Sequence, residues 1–202
     1  MTQPWIKICG LSTAEAIRAA AEAGVQAMGF VFHAASPRNV SVAEGSALQR
    51  EVPEGIERVA VFLHPSQALV DAVIEAVRPD WVQTDAEDLA RLRLPSSQRV
   101  LPVVRSGLLA PVPLPARLLL ESARSGSGEQ ADWSEAARLA AQVEIVLAGG
   151  LDATNVAKAI RLVRPFGVDV SSGVESGRGV KDPALIRIFV AAARAAYARL
   201  AG

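Results

Sequence analysis

Short apolar runs alternate with longer amphipathic segments along the whole chain. In the first run, Ile6 and Ile8 share one face while Lys7 and Cys9 share the other, as the two-residue period of a strand requires. The segments between the runs carry apolar residues at helical spacing. Strict alternation of strands and helices predicts a parallel sheet. The eight predicted strands are residues 5–10, 27–32, 58–63, 81–83, 99–104, 117–121, 144–147 and a last one that begins at 167.

The number of repeated units decides between an open sheet and a closed one. Eight strand–helix units within 202 residues favour a single-domain (β/α)8 TIM barrel over residues 1–202, at the short end for that fold. An open dinucleotide-binding sheet is disfavoured because no G-x-G-x-x-G motif follows the first strand. Pro111, Pro113 and Pro115 follow the fifth strand, and a regular helix does not accommodate them. We therefore expect a reduced fifth helix.

Composition narrows the range of partners. The 21 basic residues balance the 21 acidic ones, and no basic run occurs, which argues against nucleic acid as a partner. No apolar stretch approaches the roughly 18 residues of a membrane span, and the N-terminus lacks a signal-peptide layout. A single cysteine excludes an intrachain disulfide framework. We expect a soluble cytoplasmic protein without a membrane partner.

Two turns made of small residues follow the last two strands. Gly149 and Gly150 follow the seventh strand, and Ser171, Ser172 and Gly173 follow the eighth. Small residues let the backbone approach a ligand and turn several N–H groups the same way, which suits a phosphate. In (β/α)8 barrels the phosphate site is often formed by these two loops. Such turns are also common as purely structural connections, so the pattern alone leaves both interpretations open.

Side chains at the carboxyl ends of the strands are the candidate functional groups, because barrel enzymes place their chemistry there. Lys7 lies one layer deeper on the inward face, where an unpaired ammonium is costly. It should pair with Asp169, since barrel closure brings the eighth strand beside the first. Glu121 ends a buried leucine run, and burial raises the pKa of a carboxyl. The candidates at the mouth are Cys9, Arg38, Gln83, Asp85, Glu121 and Asp169.

Each candidate also has a structural interpretation. Cys9 could be a small buried hydrophobe, Arg38 a solvated loop charge and Glu121 an ordinary polar end of a strand. The Lys7–Asp169 pair could serve stability alone.

Longer motifs around these residues match one enzyme family. The chain resembles phosphoribosylanthranilate isomerase, an enzyme of tryptophan biosynthesis, from Lys7 to about Phe189. The resemblance implies a barrel enzyme that acts on a phosphorylated small molecule without a cofactor or a metal, and we expect a monomer or a homodimer. The matching segments are KICGL at 7–11, GFVF at 29–32, SPR at 36–38, RVAVF at 58–62, LAGGL at 147–151 with NV at 155–156, and GVDVSSGVES-x-x-GVKD at 167–182.

The resemblance implies an Amadori rearrangement of N-(5′-phosphoribosyl)anthranilate to 1-(o-carboxyphenylamino)-1-deoxyribulose 5-phosphate. A general acid protonates the furanose ring oxygen, the ring opens to a protonated imine, and a general base removes the C2 proton. The family's base is the cysteine of the first motif, here Cys9, which needs a nearby cation such as Lys7 to activate its thiol. Arg38 is implied to bind the anthranilate carboxylate. Glycine turns after strands six to eight hold the phosphate, which adds Gly126, Ser127 and Gly128 to the two turns above.

Two departures from the family pattern face the mouth of the barrel. The usual Leu-Leu-Asp, whose aspartate is the general acid, ends here in Glu121. The usual Gln-Leu-His-Gly is changed so that Asp85 replaces the histidine. We expect Glu121 to be the acid, with Asp85 as its rival.

The other inward polar residues, Lys7, Gln83, Asp85 and Asp169, are expected to bind the substrate. Two alternatives remain at this point: another sugar-phosphate isomerase on the same barrel, or a non-catalytic barrel that binds a phosphorylated ligand. Cys9 together with Arg38 favours phosphoribosylanthranilate isomerase over both alternatives, because a simple sugar phosphate has no aromatic carboxylate for an arginine.

Overall fold

A computed structural model gives the fold of the chain and describes residues 4–108, 111, 113–122 and 131–201. Eight parallel strands close into a barrel in sequence order, which confirms the predicted architecture. The barrel strands are β1 (Trp5–Cys9), β2 (Ala27–Val31), β3 (Glu57–Val61), β4 (Trp81–Asp85), β5 (Arg99–Arg105), β6 (Arg117–Glu121), β7 (Glu144–Leu147) and β8 (Gly167–Val170).

The helices lie between the strands. They are α1 (Ala14–Ala23), α2 (Val42–Leu48), α3 (Gln67–Val77), α4 (Ala86–Leu89), α5 (Trp133–Ala140), α6 (Val156–Val163) and α7 (Pro183–Ala201). Within the described residues, 3-10 turns occur at Gln49–Glu51 and Ser172–Val174, and a small antiparallel hairpin joins β9 (Glu175–Gly177) to β10 (Val180–Lys181). None of the helices in the described ranges combines the length and apolar character that crossing a membrane requires.

Capping residues define the helix ends, and one expected end is wrong. The Thr13 hydroxyl accepts a hydrogen bond from the N–H of Ala16, and Gly24 ends α1 in the left-handed conformation. The sequence pattern predicts a short fourth helix from Ala86 to Leu94, but α4 ends at Leu89. The side chain of Gln67 hydrogen-bonds both the N–H and the carbonyl of Arg93, which holds that backbone outside a helix.

The sequence also predicts Ser134 as the cap of α5 and Asp152 or Thr154 as the cap of α6, and both helix starts differ from this prediction. The cap of α5 is Asp132 rather than Ser134, because the Asp132 carboxylate accepts the N–H groups of Ser134 and Glu135. Helix α6 begins after Asn155, while Asp152 instead closes the turn before it. Between β5 and β6 the described residues form a turn at Ser106–Gly107 and no helix, in agreement with the predicted reduction of the fifth helix.

The alternation of each strand divides the apolar side chains between two cores. Ile6 and Ile8 belong to the outer core, which packs the strands against the helices, whereas the inner core fills the barrel. The inner core consists of Trp5, Ala27, Val59, Trp81, Leu101, Val103, Leu119, Val146 and Ala148. At its N-terminal end the Arg117 guanidinium lies 3.9 Å from the centre of the Phe166 ring, and Arg99 lies 4.5 Å from that of Trp81. Aromatic and guanidinium groups therefore fill the N-terminal end, while the cleft described below lies at the carboxyl ends of the strands.

Close contact between the loops after β7 and β8 requires a glycine. A Cβ on Gly173 would overlap the carbonyl oxygen of Leu151, a backbone atom that cannot move aside as a flexible side chain would. The two loops therefore pack at backbone distance only because Gly173 has no side chain.

We expect Gly173→Ala to lower the free energy of unfolding by roughly 1–3 kcal/mol, the usual cost of overpacking. Urea unfolding followed by circular dichroism measures it. Gly177→Ala is the matched control in the same segment, because a Cβ there meets nothing within 4 Å, and its effect should stay within about 0.5 kcal/mol. Equal stability of the two variants would contradict the assigned contact.

Candidate active site

A cleft of about 230 Å³ opens at the carboxyl ends of the barrel strands. It brings together residues from seven strands and from several of the loops that follow them, including most of those predicted from the sequence. The predicted residues that line it are Cys9, Arg38, Gln83, Asp85, Glu121, Asp169 and Ser171. Lys7 is also inward but lies below this cleft, and its side chain has no exposed surface.

Lys7 forms the ion pair that barrel closure predicts. Its Nζ donates to Oδ1 of Asp169 at 2.9 Å, and the two residues are direct partners in the β1–β8 register. Burial alone would lower the pKa of Lys7, but the Asp169 carboxylate and the neighbouring Cys9 thiol reverse the effect and raise it. The ammonium therefore stays charged across the neutral range, since the pair would be lost only as pH rises through this raised pKa.

Cys9 lies two residues after Lys7 on the same inward face and is almost fully buried. Burial raises the pKa of its thiol above the ordinary value, and the Asp169 carboxylate adds to that, while the ammonium groups of Lys7 and Lys181 oppose it. The expected activation by Lys7 is thus present but is outweighed by burial. A thiolate at this position depends on both buried lysines.

Arg38 is held by a carboxylate that sequence reasoning missed. Its Nε and Nη2 donate to the two oxygens of Glu175 at 2.6 and 2.9 Å, which uses one side of the guanidinium fork. Lys181 donates to the same carboxylate at 2.6 Å and to the backbone oxygen of Ser171 at 2.9 Å. Glu175 therefore joins the loop after β2 to the loop after β8.

Burial opposes the ionisation of Glu175, but hydrogen bonds from Arg38, Lys181 and the N–H of Gly179 outweigh it and lower the pKa of Glu175 to about 2. Burial also lowers the pKa of Lys181, and the attraction of Glu175 counteracts that shift. The carboxylate is therefore fully ionised at neutral pH and fixes Arg38 from one side.

A second arginine at the mouth, Arg105 at the end of β5, was also missed. Its Nη2 donates to both oxygens of Asp85 at 2.8 and 3.1 Å, and its Nη1 lies 3.5 Å from Oε2 of Glu121. All three side chains are largely buried. The two rival acids are therefore not isolated carboxyls, because one guanidinium joins them.

A smaller cavity adjoins the cleft between the two glycine turns. It is lined by Gly149, Gly150, Ser171 and Ser172, and it shares Glu121, Asp169 and Ser171 with the main cleft. In the hydrogen-bond pattern of the described residues, the backbone N–H groups of Gly150, Ser172 and Gly173 have no acceptor. Backbone donors of this kind suit an anion. The predicted phosphate residues Gly126, Ser127 and Gly128 lie outside the described residues.

Gln83 supplies an unsatisfied polar group to the cleft. Its side chain is almost fully buried, and within the described part of the chain its Oε1 has no hydrogen-bond partner. A buried amide oxygen without a partner is costly, so a donor on a bound molecule would stabilise it.

One group of side chains in the described ranges has ligand atoms close enough to hold a metal: His64, Asp85 and Asp88. Asp88 accepts from Thr84 and from the N–H of His64, and both oxygens of Asp85 accept from Arg105. These bonds satisfy the carboxylates internally, so we assign no metal here.

Sequence reasoning missed two cleft residues, Arg105 and Arg178, and Glu175, which holds the cleft residue Arg38. Arg105 ends β5 and points to the inside of the barrel, as Glu121 does at the end of β6. The alternation of residues along β5 could therefore have indicated that Arg105 faces the cleft. Glu175 lies within the recognised GVES motif, but nothing in the sequence spacing indicates that it pairs with Arg38. Arg178 sits between β9 and β10, a hairpin that the sequence did not predict, and lines the cleft.

Comparison with known proteins gives a consistent result. Residues 6–192 match the family model described as N-(5′-phosphoribosyl)anthranilate (PRA) isomerase. The N-(5′-phosphoribosyl)anthranilate isomerase of Rhodopseudomonas palustris is 38% identical over 210 residues, which cover 95% of this chain and 98% of the relative.

Solved structures of similar proteins lead to the same family. TrpF from Jonesia denitrificans superposes with a TM-score of 0.80 at 36% identity, covering 96% of this chain and 98% of that one. A phosphoribosyl anthranilate isomerase in complex with reduced 1-(o-carboxyphenylamino)-1-deoxyribulose 5-phosphate gives a TM-score of 0.78 at 29% identity, covering 96% of this chain and all of the other.

The depressed pKa of Glu175 predicts acid sensitivity of the fold. Its contribution to stability is complete above the ordinary carboxyl value of 4.5 and is lost as pH falls towards about 2. Glu175→Gln should lower the free energy of unfolding at pH 7 by about 3 kcal/mol, since it leaves two buried cations without a counterion. The substitution should also make the decline of the free energy of unfolding between pH 5 and 3 less steep. Urea unfolding across this range measures both effects, and an unchanged slope would contradict the assignment.

Proposed function

The chain belongs to the N-(5′-phosphoribosyl)anthranilate isomerase family, and from that premise we propose which of its residues carry the reaction. The enzyme converts N-(5′-phosphoribosyl)anthranilate to 1-(o-carboxyphenylamino)-1-deoxyribulose 5-phosphate by an Amadori rearrangement in tryptophan biosynthesis. One observation carries the assignment of roles: Cys9, Arg38 and Glu121 line a single cleft that continues into the cavity between the glycine turns.

The arrangement of anion-binding groups sets the direction of the substrate. The phosphate occupies the small cavity, against the backbone N–H groups of Gly150, Ser172 and Gly173. The anthranilate carboxylate meets the side of the Arg38 guanidinium that Glu175 leaves open, where a planar fork suits a carboxylate. The ribose then lies between the two sites. Glu121 lines both spaces, so its carboxyl is beside the sugar.

Glu121 acts first as the general acid. It donates its proton to the furanose ring oxygen, the bond from that oxygen to C1 breaks, and the anilino nitrogen supplies the electron pair that makes a protonated imine. Cys9, as the thiolate, then removes the C2 proton, and the electrons of that C–H bond neutralise the imine to give an enolamine. Tautomerisation yields the ketone product. Proton transfers of this kind contribute about 10²–10⁴-fold each.

The other inward polar groups support these two residues. Lys7 has no exposed surface, so we assign it an electrostatic role in favouring the Cys9 thiolate rather than direct contact with substrate. Asp169 holds Lys7 and also lines the cleft. Gln83 accepts a hydrogen bond from a ribose hydroxyl or the anilino N–H, the donors that the substrate offers.

The family match decides against the alternatives left open by the sequence. A simple sugar-phosphate isomerase would have no use for the arginine that Glu175 holds at the cleft. A non-catalytic barrel would not need both a thiol and a carboxyl beside the sugar position. A monomer or a homodimer stays the prediction for the oligomeric state, and Gly126, Ser127 and Gly128 stay predicted phosphate ligands.

Purified protein should remove the fluorescence of freshly made N-(5′-phosphoribosyl)anthranilate, and Cys9→Ala and Glu121→Gln should each lower kcat by at least about a hundredfold. KM should change little, because neither group anchors the substrate. Cys9→Ser is the matched control for shape, and it should be nearly as inactive as alanine because a hydroxyl is a far weaker base than a thiolate. A kcat close to wild type for one variant would remove that residue from its role.

Arg38→Ala should act mainly on KM. Losing a charge-assisted contact to the anthranilate carboxylate implies roughly 1.5–3 kcal/mol, or about tenfold to a hundredfold. Arg38→Lys keeps the charge without the planar fork and should recover only part of the affinity. Steady-state kinetics measure both. An unchanged KM in the alanine variant would mean that Arg38 serves only as the partner of Glu175.

A further inference from the structure

Three charged side chains from neighbouring strands meet at one side of the cleft. Asp85 ends β4, Arg105 ends β5 and Glu121 ends β6. We propose that Arg105 is a positioning residue for the general acid Glu121, and that Asp85 is the counterion that keeps this guanidinium from holding Glu121 in its ionised form. The proposal rests on the acid role proposed above for Glu121.

The sheet register places the group. Arg105 and Glu121 are direct Cα partners across β5 and β6, and Asp85 pairs with Val103, two residues before Arg105 on the same inward face. All three side chains therefore project towards the cleft, with only about a sixth of their surface exposed. Their positions follow from the strands themselves rather than from the loops.

The distances show how the guanidinium is shared. Arg105 lies closer to Asp85, at 2.8 and 3.1 Å to its two oxygens, than to Glu121, at 3.5 Å. A guanidinium is never deprotonated in proteins, so beside a carboxyl alone it would favour the carboxylate and remove the proton that an acid must donate. Asp85 compensates that charge. Glu121 keeps a nearby donor without being the principal partner of Arg105.

The same contact addresses the length of the glutamate. Glu121 has one methylene more than the aspartate of the family pattern, so its carboxyl has an additional freely rotating bond. A misplacement of about 1 Å can lower a rate about a hundredfold. The Nη1 of Arg105 provides a fixed point from the neighbouring strand against which the carboxyl is oriented.

The other charges around Glu121 do not replace this pair. The loop after β7 begins with Ala148 and Gly149, which carry no titratable group. Among the described residues, the other titratable groups that line the same spaces are Cys9 from β1 with Lys7 beneath it, Asp169 from β8, and His33, Arg38 and Arg178 from the loops. Lys7 is paired with Asp169 and Arg38 with Glu175, whereas Arg105 contacts Glu121 directly from the neighbouring strand.

The geometry also disfavours Asp85 as the acid. Both of its oxygens accept from one nitrogen of Arg105, an arrangement that belongs to an ionised carboxylate. An ionised carboxylate has no proton to give. The residue that replaces the family's histidine is thus assigned to the guanidinium rather than to the sugar.

The test is the pH dependence of kcat between pH 5 and 9 for wild type, Asp85→Asn, Arg105→Gln and the double variant. Asp85→Asn leaves the guanidinium uncompensated, so the kcat of this variant should fall at least about tenfold at pH 8. A factor of about ten corresponds to a proton affinity of Glu121 that is lower by one pH unit. This deficit should shrink towards none as pH falls and Glu121 regains its proton. Arg105→Gln should lose activity because Glu121 is less well oriented, and this loss should not grow as pH rises, since no guanidinium then favours the ionised form of Glu121.

The double-mutant cycle separates the proposal from a structural role. In the Arg105→Gln background, Asp85→Asn should not produce the deficit at high pH, because no uncompensated guanidinium is left beside Glu121. A deficit in Asp85→Asn that is equal at all pH values, or one that persists without Arg105, would overturn the proposal. KM should stay within about threefold of wild type in all variants, since we assign Asp85 to Arg105 rather than, as expected from the sequence, to the substrate.

Glu121→Gln distinguishes the two levels of the argument. If this variant is inactive while Asp85→Asn shows a pH profile like wild type, the acid assignment stands and the positioning proposal fails. If Glu121→Gln keeps its activity, the acid assignment itself is wrong, and the proposal for Arg105 falls with it. Urea unfolding of each variant at pH 7 establishes that a lost rate does not reflect an unfolded protein.

Discussion

The buried ion pair between Lys7 and Asp169 is the constraint on which the site depends. An ammonium with no exposed surface is tolerated only beside a counterion, and this one is supplied by the strand that closes the barrel. The pairing of β8 with β1 therefore both closes the barrel and supplies the counterion of Lys7. The pair also sets the field around Cys9, because the cation favours its thiolate and the carboxylate opposes it. Barrel closure and the reactivity of the thiol thus depend on the same two side chains.

A second carboxylate, Glu175, connects the two ends of the substrate site. It holds Arg38, the proposed anchor for the aromatic carboxylate, and Lys181, which donates to the backbone of Ser171 in the loop proposed to bind the phosphate. Ser171 in turn donates to the carbonyl oxygen of Cys9. One chain of polar contacts thus runs from Arg38, through Glu175, Lys181 and Ser171, to the backbone of Cys9, the proposed base. A change at Glu175 should therefore affect all three, although it touches no reacting atom.

Strand periodicity and the order of strands made much of this site predictable. The pairing of Lys7 with Asp169 followed from inward parity and closure, and the glycine turns followed from their position after the last two strands. What could not be predicted depended on side-chain reach across loops. Glu175 reaches Arg38 over 137 residues of sequence through an unpredicted hairpin, and Gln67 ends α4 early by bonding to the backbone of Arg93. Neither contact has a local signature, because both are decided by the packing of separate loops.

The two departures from the family pattern, which seemed independent in the sequence, are joined in space by Arg105. A longer acid by itself would be poorly placed, and a carboxylate in place of a histidine by itself would add a negative charge to the mouth of the barrel. In our proposal, the guanidinium of Arg105 lies between them, compensates the negative charge of Asp85 and orients the longer side chain of Glu121. Since charge and position are corrected by the same group, replacing Glu121 by the family's aspartate should not improve the enzyme while Asp85 and Arg105 remain, because the shorter carboxyl would lie farther from its fixed point.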